Sequence, residues 1–223
     1  MTKAIIFDMD GTLFQTNQVL EASLEDTFQK LRKINKWEGD APLAEYQQIM
    51  GVPLPKVWET LLPEFTPYER NEVDALFLDR LISHIRNGRG ALYPGVKETM
   101  GQLTNQGFSV YIASNGLKRY LQTIVEYYRL NSWVAETFSI EQIDSLDKSS
   151  LVQEIIQKHH IQEGAVVGDR LSDIRAAKEN GLTAVGCRFD FAQEEELAQA
   201  DHVIEDLREL KHVIPLLEGT TYP

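Results

Sequence analysis

Residues 4–13 read AIIFDMDGTL, and the reading of this stretch decides the fold. Ala4, Ile5, Ile6 and Phe7 form a short unbroken apolar run, the pattern of a strand buried on both faces. Asp8 is the first polar residue where that strand emerges, and Asp10, Gly11 and Thr12 follow it. In parallel α/β sheets the carboxyl ends of the strands are where ligands bind. A carboxylate placed there is either a turn former or a chemical group, and the rest of the chain separates the two.

After this strand the texture changes. Residues 15–88 read as helices without a convincing strand: Leu20, Leu24, Phe28 and Leu31 fall at helical spacing. Thr66, Pro67 and Glu69 form a capping-box pattern with proline at the first helical position. The helix they introduce repeats apolar residues at Val73, Phe77, Leu81 and Ile85 and stops at the glycines of RNGRG. From about residue 89 strands and helices alternate. Strands are expected at 109–113, 165–167, 182–185 and 202–204, with helices at 96–105, 117–128, 149–160, 172–180 and 206–217. Such alternation predicts a parallel sheet with helices on both faces. The first strand belongs to that sheet, because alone it has nothing to bury. The expected organisation is therefore an α/β Rossmann-like core of residues 1–14 and 89–223, with residues 15–88 inserted as a helical cap over the carboxyl edge.

Composition narrows the function classes. With 223 residues, 43% hydrophobic and 25% charged, the chain suits a soluble α/β domain plus a smaller one. A net charge of −12 argues against nucleic-acid and anionic-membrane partners, which need clustered Lys and Arg. It still permits a small phosphorylated metabolite where the site carries its own cations. The single cysteine, Cys187, lies in an apolar run and reads as a buried structural thiol in a reducing compartment. No secretory signal and no membrane span is legible, so a cytoplasmic location is expected.

Two further strand ends and one helix start carry polar residues. Ser114, Asn115 and Gly116 follow one; Asp169 follows another, with Asp173 four residues on; Lys148 opens the helix between them. All can converge on one crevice. The Ser-Asn-Gly turn also offers a hydroxyl and backbone N–H groups at a helix N-terminus, a natural phosphate cradle.

FDMDGTL, ASNG, the downstream Lys148 and GDRLSD, in that order, resemble the four motifs of the haloacid dehalogenase superfamily. The likeness is strongest to its phosphoglycolate phosphatase-like and β-phosphoglucomutase-like branch with a helical cap. It covers nearly the whole chain, including MGVPL in the helical stretch and LYPGVKE where the core resumes. The resemblance implies a Mg²⁺-dependent phosphatase acting on a small phosphorylated metabolite. In it Asp8 is nucleophile and metal ligand, forming an aspartyl-phosphate. Asp10 ligates through its backbone carbonyl, while its side chain serves as general acid and base. Asp169 completes the metal site, and Asp173 is either a further metal ligand or the partner that orients Lys148. Lys148 offsets the charge at Asp8 and the phosphoryl group, with Lys118 as the alternative cation. Thr12, Ser114, Asn115 and Gly116 contact the phosphoryl oxygens.

Alternatives within and outside this chemistry remain. A dehalogenase has no use for the acid/base, so Asp10 speaks against one. A β-phosphoglucomutase-like phosphotransfer on a sugar phosphate keeps both aspartates and stays open. A non-catalytic binding protein is expected to lose one of the core carboxylates, and all are present. Arg170 reads equally as a surface residue or a phosphate-side guide. His159 and His160 read as helix-terminal surface residues, and Trp37, Trp58 and Trp133 as packing residues. Gln15 stands where relatives often carry aspartate, near the passage into the helical stretch.

Overall fold

The computed structural model describes residues 2–217; residue 1 and residues 218–223, the outer ends of the expected core segments, lie outside the described residues. The strands are β1 (Thr2–Phe7), β2 (Ser109–Ser114), β3 (Val134–Ser139), β4 (Ile161–Gly168), β5 (Thr183–Cys187) and β6 (His202–Ile204). They form one parallel sheet in the order β3-β2-β1-β4-β5-β6. β1 lies near the middle, paired on one side with β2 and on the other with β4, which explains its unbroken apolar run. Ile5 and Phe7 face one layer, Ala4 and Ile6 the other, and all four side chains are buried.

Helices α1 (Asn17–Lys33), α2 (Leu43–Gln48), α3 (Leu54–Leu61) and α4 (Pro67–Arg86) follow β1 directly. After them come α5 (Val96–Asn105), α6 (Lys118–Tyr127), α7 (Lys148–His159), α8 (Leu171–Glu179), α9 (Glu194–Leu197) and α10 (Leu210–Leu217). One face of the sheet is covered through Leu151, Val152 and Ile155 of α7 and Ile174 and Ala177 of α8. The other is covered through Met100 and Leu103 of α5, Leu121 and Ile124 of α6 and Val213 of α10. This second layer continues without a break into the apolar interior of the helical insertion. There Trp58 is fully buried, packs edge-on against Phe77 at 5.3 Å, and donates its indole N–H to Asp74 at 2.7 Å.

The capping box at the start of α4 forms as its residues predict. Glu69 N–H donates to Thr66 Oγ1, and Thr66 N–H donates back to the Glu69 carboxylate at 2.9 Å. The sequence reading misses the short helix α9 and the edge strand β3. The burial of β3 rises only toward the C-terminal end, so it shows neither a continuous apolar run nor clean alternation. The stem of the insertion is tied at both ends: Gln15 N–H donates to Ala91 O at 2.8 Å, and its side-chain amide to Leu92 O at 2.8 Å.

Register at the centre of the sheet leaves one position without room. Gly164 sits opposite Ala4 in the β1–β4 pair, and a Cβ there would land on the Ala4 carbonyl oxygen. Backbone cannot yield as a flexible side chain does, so Gly164→Ala is expected to lower the unfolding free energy by about 3 kcal/mol. Denaturant titration reads this as a shifted midpoint; an unchanged midpoint would contradict the register.

Candidate active site

The strand order reverses direction between β1 and β4, and the crevice outside their carboxyl ends is where an open α/β sheet binds ligands. Asp8 stands at the end of β1, its N–H donating to Val167 O of β4 at 2.9 Å. Asp169 stands at the end of β4, and Asp173 is in the first turn of α8, accepting from Arg170 N–H at 3.1 Å. The carboxylates of Asp8, Asp169 and Asp173 lie within 4.8 Å of one another, and all three residues are buried. Lys148, the first residue of α7, places its Nζ 2.5 Å from Asp8 Oδ1 and 2.5 Å from Asp173 Oδ1. Asp173 thus pairs with the lysine and also belongs to the carboxylate cluster. Thr12 donates its hydroxyl to Asp169 Oδ1 at 3.0 Å.

Small residues are required around this cluster. Gly11 has φ +81°, and a Cβ on it would come within 2.5 Å of Asp169 Oδ2. A Cβ on Gly168 would overlap Asp173. The two glycines let the carboxylates pack directly onto the backbone.

Burial and mutual repulsion push Asp8 and Asp169 up. Asp8 is raised to about 7, chiefly by burial, with Asp173 and Asp10 adding to it and Lys148 opposing. Burial, then Asp8 and Asp173, holds Asp169 well above the usual carboxylate range. Burial alone would depress Lys148, but Asp173 and Asp8 outweigh it and hold the ammonium protonated. One lysine therefore faces three carboxylates, and Asp169 Oδ2 is buried without a hydrogen-bond partner. An all-oxygen donor set with surplus negative charge and an unsatisfied oxygen fits a hard divalent cation.

Asp10 occupies a different environment. Its carboxylate lies outside the cluster of three, and its Oδ1 accepts from Thr16 Oγ1 at 2.6 Å and from Tyr120 OH at 2.5 Å. Burial raises it above the ordinary value despite both bonds. Because both hydroxyls point at Oδ1, a proton on this group resides on Oδ2. Ser114 is buried at the end of β2, and its Oγ accepts from Gly116 N–H at 3.0 Å. The N-terminal turn of α6 gives another N–H, that of Lys118, to Glu141 at 2.5 Å.

A family model described as haloacid dehalogenase-like hydrolase matches residues 2–181, which include every one of these groups. The chain belongs to the haloacid dehalogenase-like hydrolases. It is 22% identical to a 5'-nucleotidase of Pseudomonas aeruginosa over 94% of both chains. It is 26% identical to a phosphoglycolate phosphatase of Agrobacterium fabrum, covering 92% of this chain and 89% of that one. Among solved structures it superposes on a predicted phosphoglycolate phosphatase from Haemophilus somnus with TM-score 0.82. That match has 21% identity and covers 96% of this chain and 98% of the other.

Two core side chains of this haloacid dehalogenase-like hydrolase reach into the insertion. Arg170, next to Asp169, donates to the Met50 carbonyl and is braced by Glu196 at 2.9 Å. Asn115, next to Ser114, donates its amide to the Gly51 carbonyl at 2.7 Å. Arg170 is thus neither a free surface residue nor a group on the carboxylate cluster. Lys118 is exposed, whereas Lys148 is buried in the cluster. His159 pairs with Glu136 at 3.0 Å, and Cys187 is buried. Sequence reasoning missed Thr16, Tyr120 and Glu196; Tyr120 lies 110 residues from the aspartate it contacts, and nothing local announces it.

The charge balance makes a testable demand on Lys148. Removing the ammonium from a buried pair strands the acids it faced, a loss of about 3 kcal/mol. Lys148→Met, free of divalent cations, is expected to lose that much at pH 8 and clearly less at pH 5, where Asp8 holds a proton. Equal losses at both pH values, measured by denaturant titration, would contradict the balance drawn above.

Proposed function

We propose that this hydrolase is a Mg²⁺-dependent phosphatase of a small phosphorylated metabolite, working through an aspartyl-phosphate on Asp8. In this reading residues 1–14 and 89–223 form the catalytic core, and residues 15–88 act as a cap that excludes water and receives the leaving group. The observation that carries it is the split between Asp8 and Asp10. Two carboxylates two residues apart stand in separate environments, one among carboxylates and a lysine, the other held by two hydroxyls. Groups with such different surroundings serve different roles in one reaction. The phosphoglycolate phosphatase name of relatives that align over nearly the full chain supports the same reading.

Asp8, Asp169 and Asp173, with the backbone carbonyl of Asp10, would hold the cation. Bound there, the cation relieves the repulsion between phosphoryl oxygens and carboxylates. Asp8 attacks phosphorus: a bond forms from its carboxylate oxygen, the ester P–O bond breaks, and the departing oxygen takes the proton from Asp10 Oδ2. Water then attacks the phosphorus, its proton returns to Asp10, and inorganic phosphate leaves with Asp8 regenerated. Lys148 holds Asp8 in place and offsets charge on the phosphoryl group. Ser114, Asn115 and Gly116 line the phosphoryl side, and Thr12 fixes Asp169. Thr16 and Tyr120 position Asp10, turning Oδ2 toward the leaving oxygen.

Asp8→Asn is expected to abolish turnover, because an amide of the same shape is a far weaker nucleophile. Asp10→Asn is expected to lose about 10²–10⁴-fold in kcat on alkyl phosphates. The loss shrinks on aryl phosphates, whose leaving groups depart without a proton. Tyr120→Phe should show the same leaving-group dependence at smaller size. Steady-state kinetics across both ester classes decides: uniform losses would remove the acid/base assignment.

The cation requirement has a pH signature. The Asp8 value lies near 7 in the fold against 3.8 for the free group. Between these values the native state binds a proton that the unfolded chain has lost, so this site's contribution to stability falls as pH rises through that window. Mg²⁺ competes with that proton. Added Mg²⁺ should therefore raise the melting temperature more at pH 8 than at pH 5, and a chelator should stop turnover. A thermal shift independent of pH, or full activity in chelator, would count against the assignment.

A further inference from the structure

Beside Asp10 lies an open cleft lined by residues of both the core and the insertion. Asp10 and Thr16 are part of its wall, so it begins where the departing oxygen would be. The rest is mostly apolar: Tyr46, Leu54, Phe77 and Leu81 come from the insertion, and Leu117 and Tyr120 from the core. Among the described residues no lysine, arginine or histidine lines it, and the sole charged lining residue, Asp10, is anionic. Lys56 and Lys118, beside the lining residues Leu54 and Leu117, are exposed and outside the lining, and three further cations nearby are engaged elsewhere. Lys148 is held by Asp8 and Asp173, Arg170 by Glu196 and the Met50 carbonyl, and Arg119 by Asp79 on the exposed surface. Among the lining side chains, the buried polar atom without a partner is Asn115 Oδ1, an acceptor. Its orientation is set, because the amide nitrogen must face the Gly51 carbonyl.

A second anionic group on the substrate would find no partner in such a cleft. Burying an unpaired carboxylate is costly, and the Asn115 Oδ1 acceptor and the neighbouring Asp10 add repulsion. Apolar surface entering the same space gains instead, and the aromatic rings offer edge and face contacts. We propose that the physiological substrates are phosphate monoesters of small, uncharged, predominantly apolar alcohols, and that the cleft selects against leaving groups carrying a carboxylate or second phosphate. This rests on the phosphatase reading above and narrows it: the preference differs from what the name phosphoglycolate phosphatase states for several relatives.

The test compares kcat/KM for benzyl phosphate and phosphoglycolate with Mg²⁺ present. Both esters release primary alcohols, so the ratio reports on the cleft rather than on leaving-group chemistry. Hydrolysis of p-nitrophenyl phosphate serves as the reference for competence. The expected ratio is about 10²-fold in favour of benzyl phosphate, the scale of apolar-pocket discrimination combined with an unpaired anion. In Leu54→Lys, a partly exposed position where the ammonium also reaches water, the ratio should narrow by about tenfold or more. A parent enzyme that prefers phosphoglycolate, or treats the two alike, overturns the inference and leaves the phosphatase reading standing. An unchanged ratio in a Leu54→Lys protein that still cleaves p-nitrophenyl phosphate also overturns it. Failure of the parent on all three esters is the separate outcome that removes the phosphatase reading, and this inference with it.

Discussion

The structure is organised around a surplus of buried negative charge. Three carboxylates share one corner of the sheet with a single ammonium group. At an effective dielectric of about 20, each like-charged pair at this separation costs on the order of 3 kcal/mol when both are ionised. The surroundings are arranged to keep the acids there nonetheless. Lys148 reaches in from the start of α7 to touch two of them, Thr12 holds the third, and glycines at 11 and 168 clear the space the carboxylates fill. The cost is largest without a counter-ion and falls when a divalent cation or a proton arrives, so the site is built to be completed from solution.

Topology makes the concentration possible. The acids lie at positions 8, 169 and 173, and the lysine at 148, yet β1 and β4 are hydrogen-bonded neighbours. Asp10 then shows how little backbone separates two chemistries. Two residues beyond Asp8 suffice to take it from the lysine and its carboxylates into the reach of Thr16 and Tyr120. The burial that raises both acids is shared; the neighbours that distinguish them are not.

Much of this is legible in the chain because its signals are local. The double-faced apolar run of β1, the aspartates at strand ends, the capping box at Thr66 and the Ser-Asn-Gly turn are each contained within a few residues. What escapes reading is long-range or weakly patterned. β3 is an edge strand whose partly exposed first half dilutes any periodicity. Tyr120 looks like one more apolar position on α6, and only the fold reveals that its hydroxyl meets Asp10. Arg170 is open to either reading because its partners, Glu196 and the Met50 carbonyl, are fixed by packing between segments far apart in sequence.

The grip of the core on the insertion has a consequence for divergence. Arg170 and Asn115 hold main-chain carbonyls, those of Met50 and Gly51, and every residue type presents a carbonyl. The Met50 side chain can therefore be exchanged without removing the attachment, whereas Gly51, at φ +88° and with Arg170 Cγ 3.2 Å from where a Cβ would stand, is constrained. The same core can carry a succession of differently shaped insertions, each seated in the same register relative to Asp169 and Ser114. The insertion's shape and the way it is seated are thereby separable.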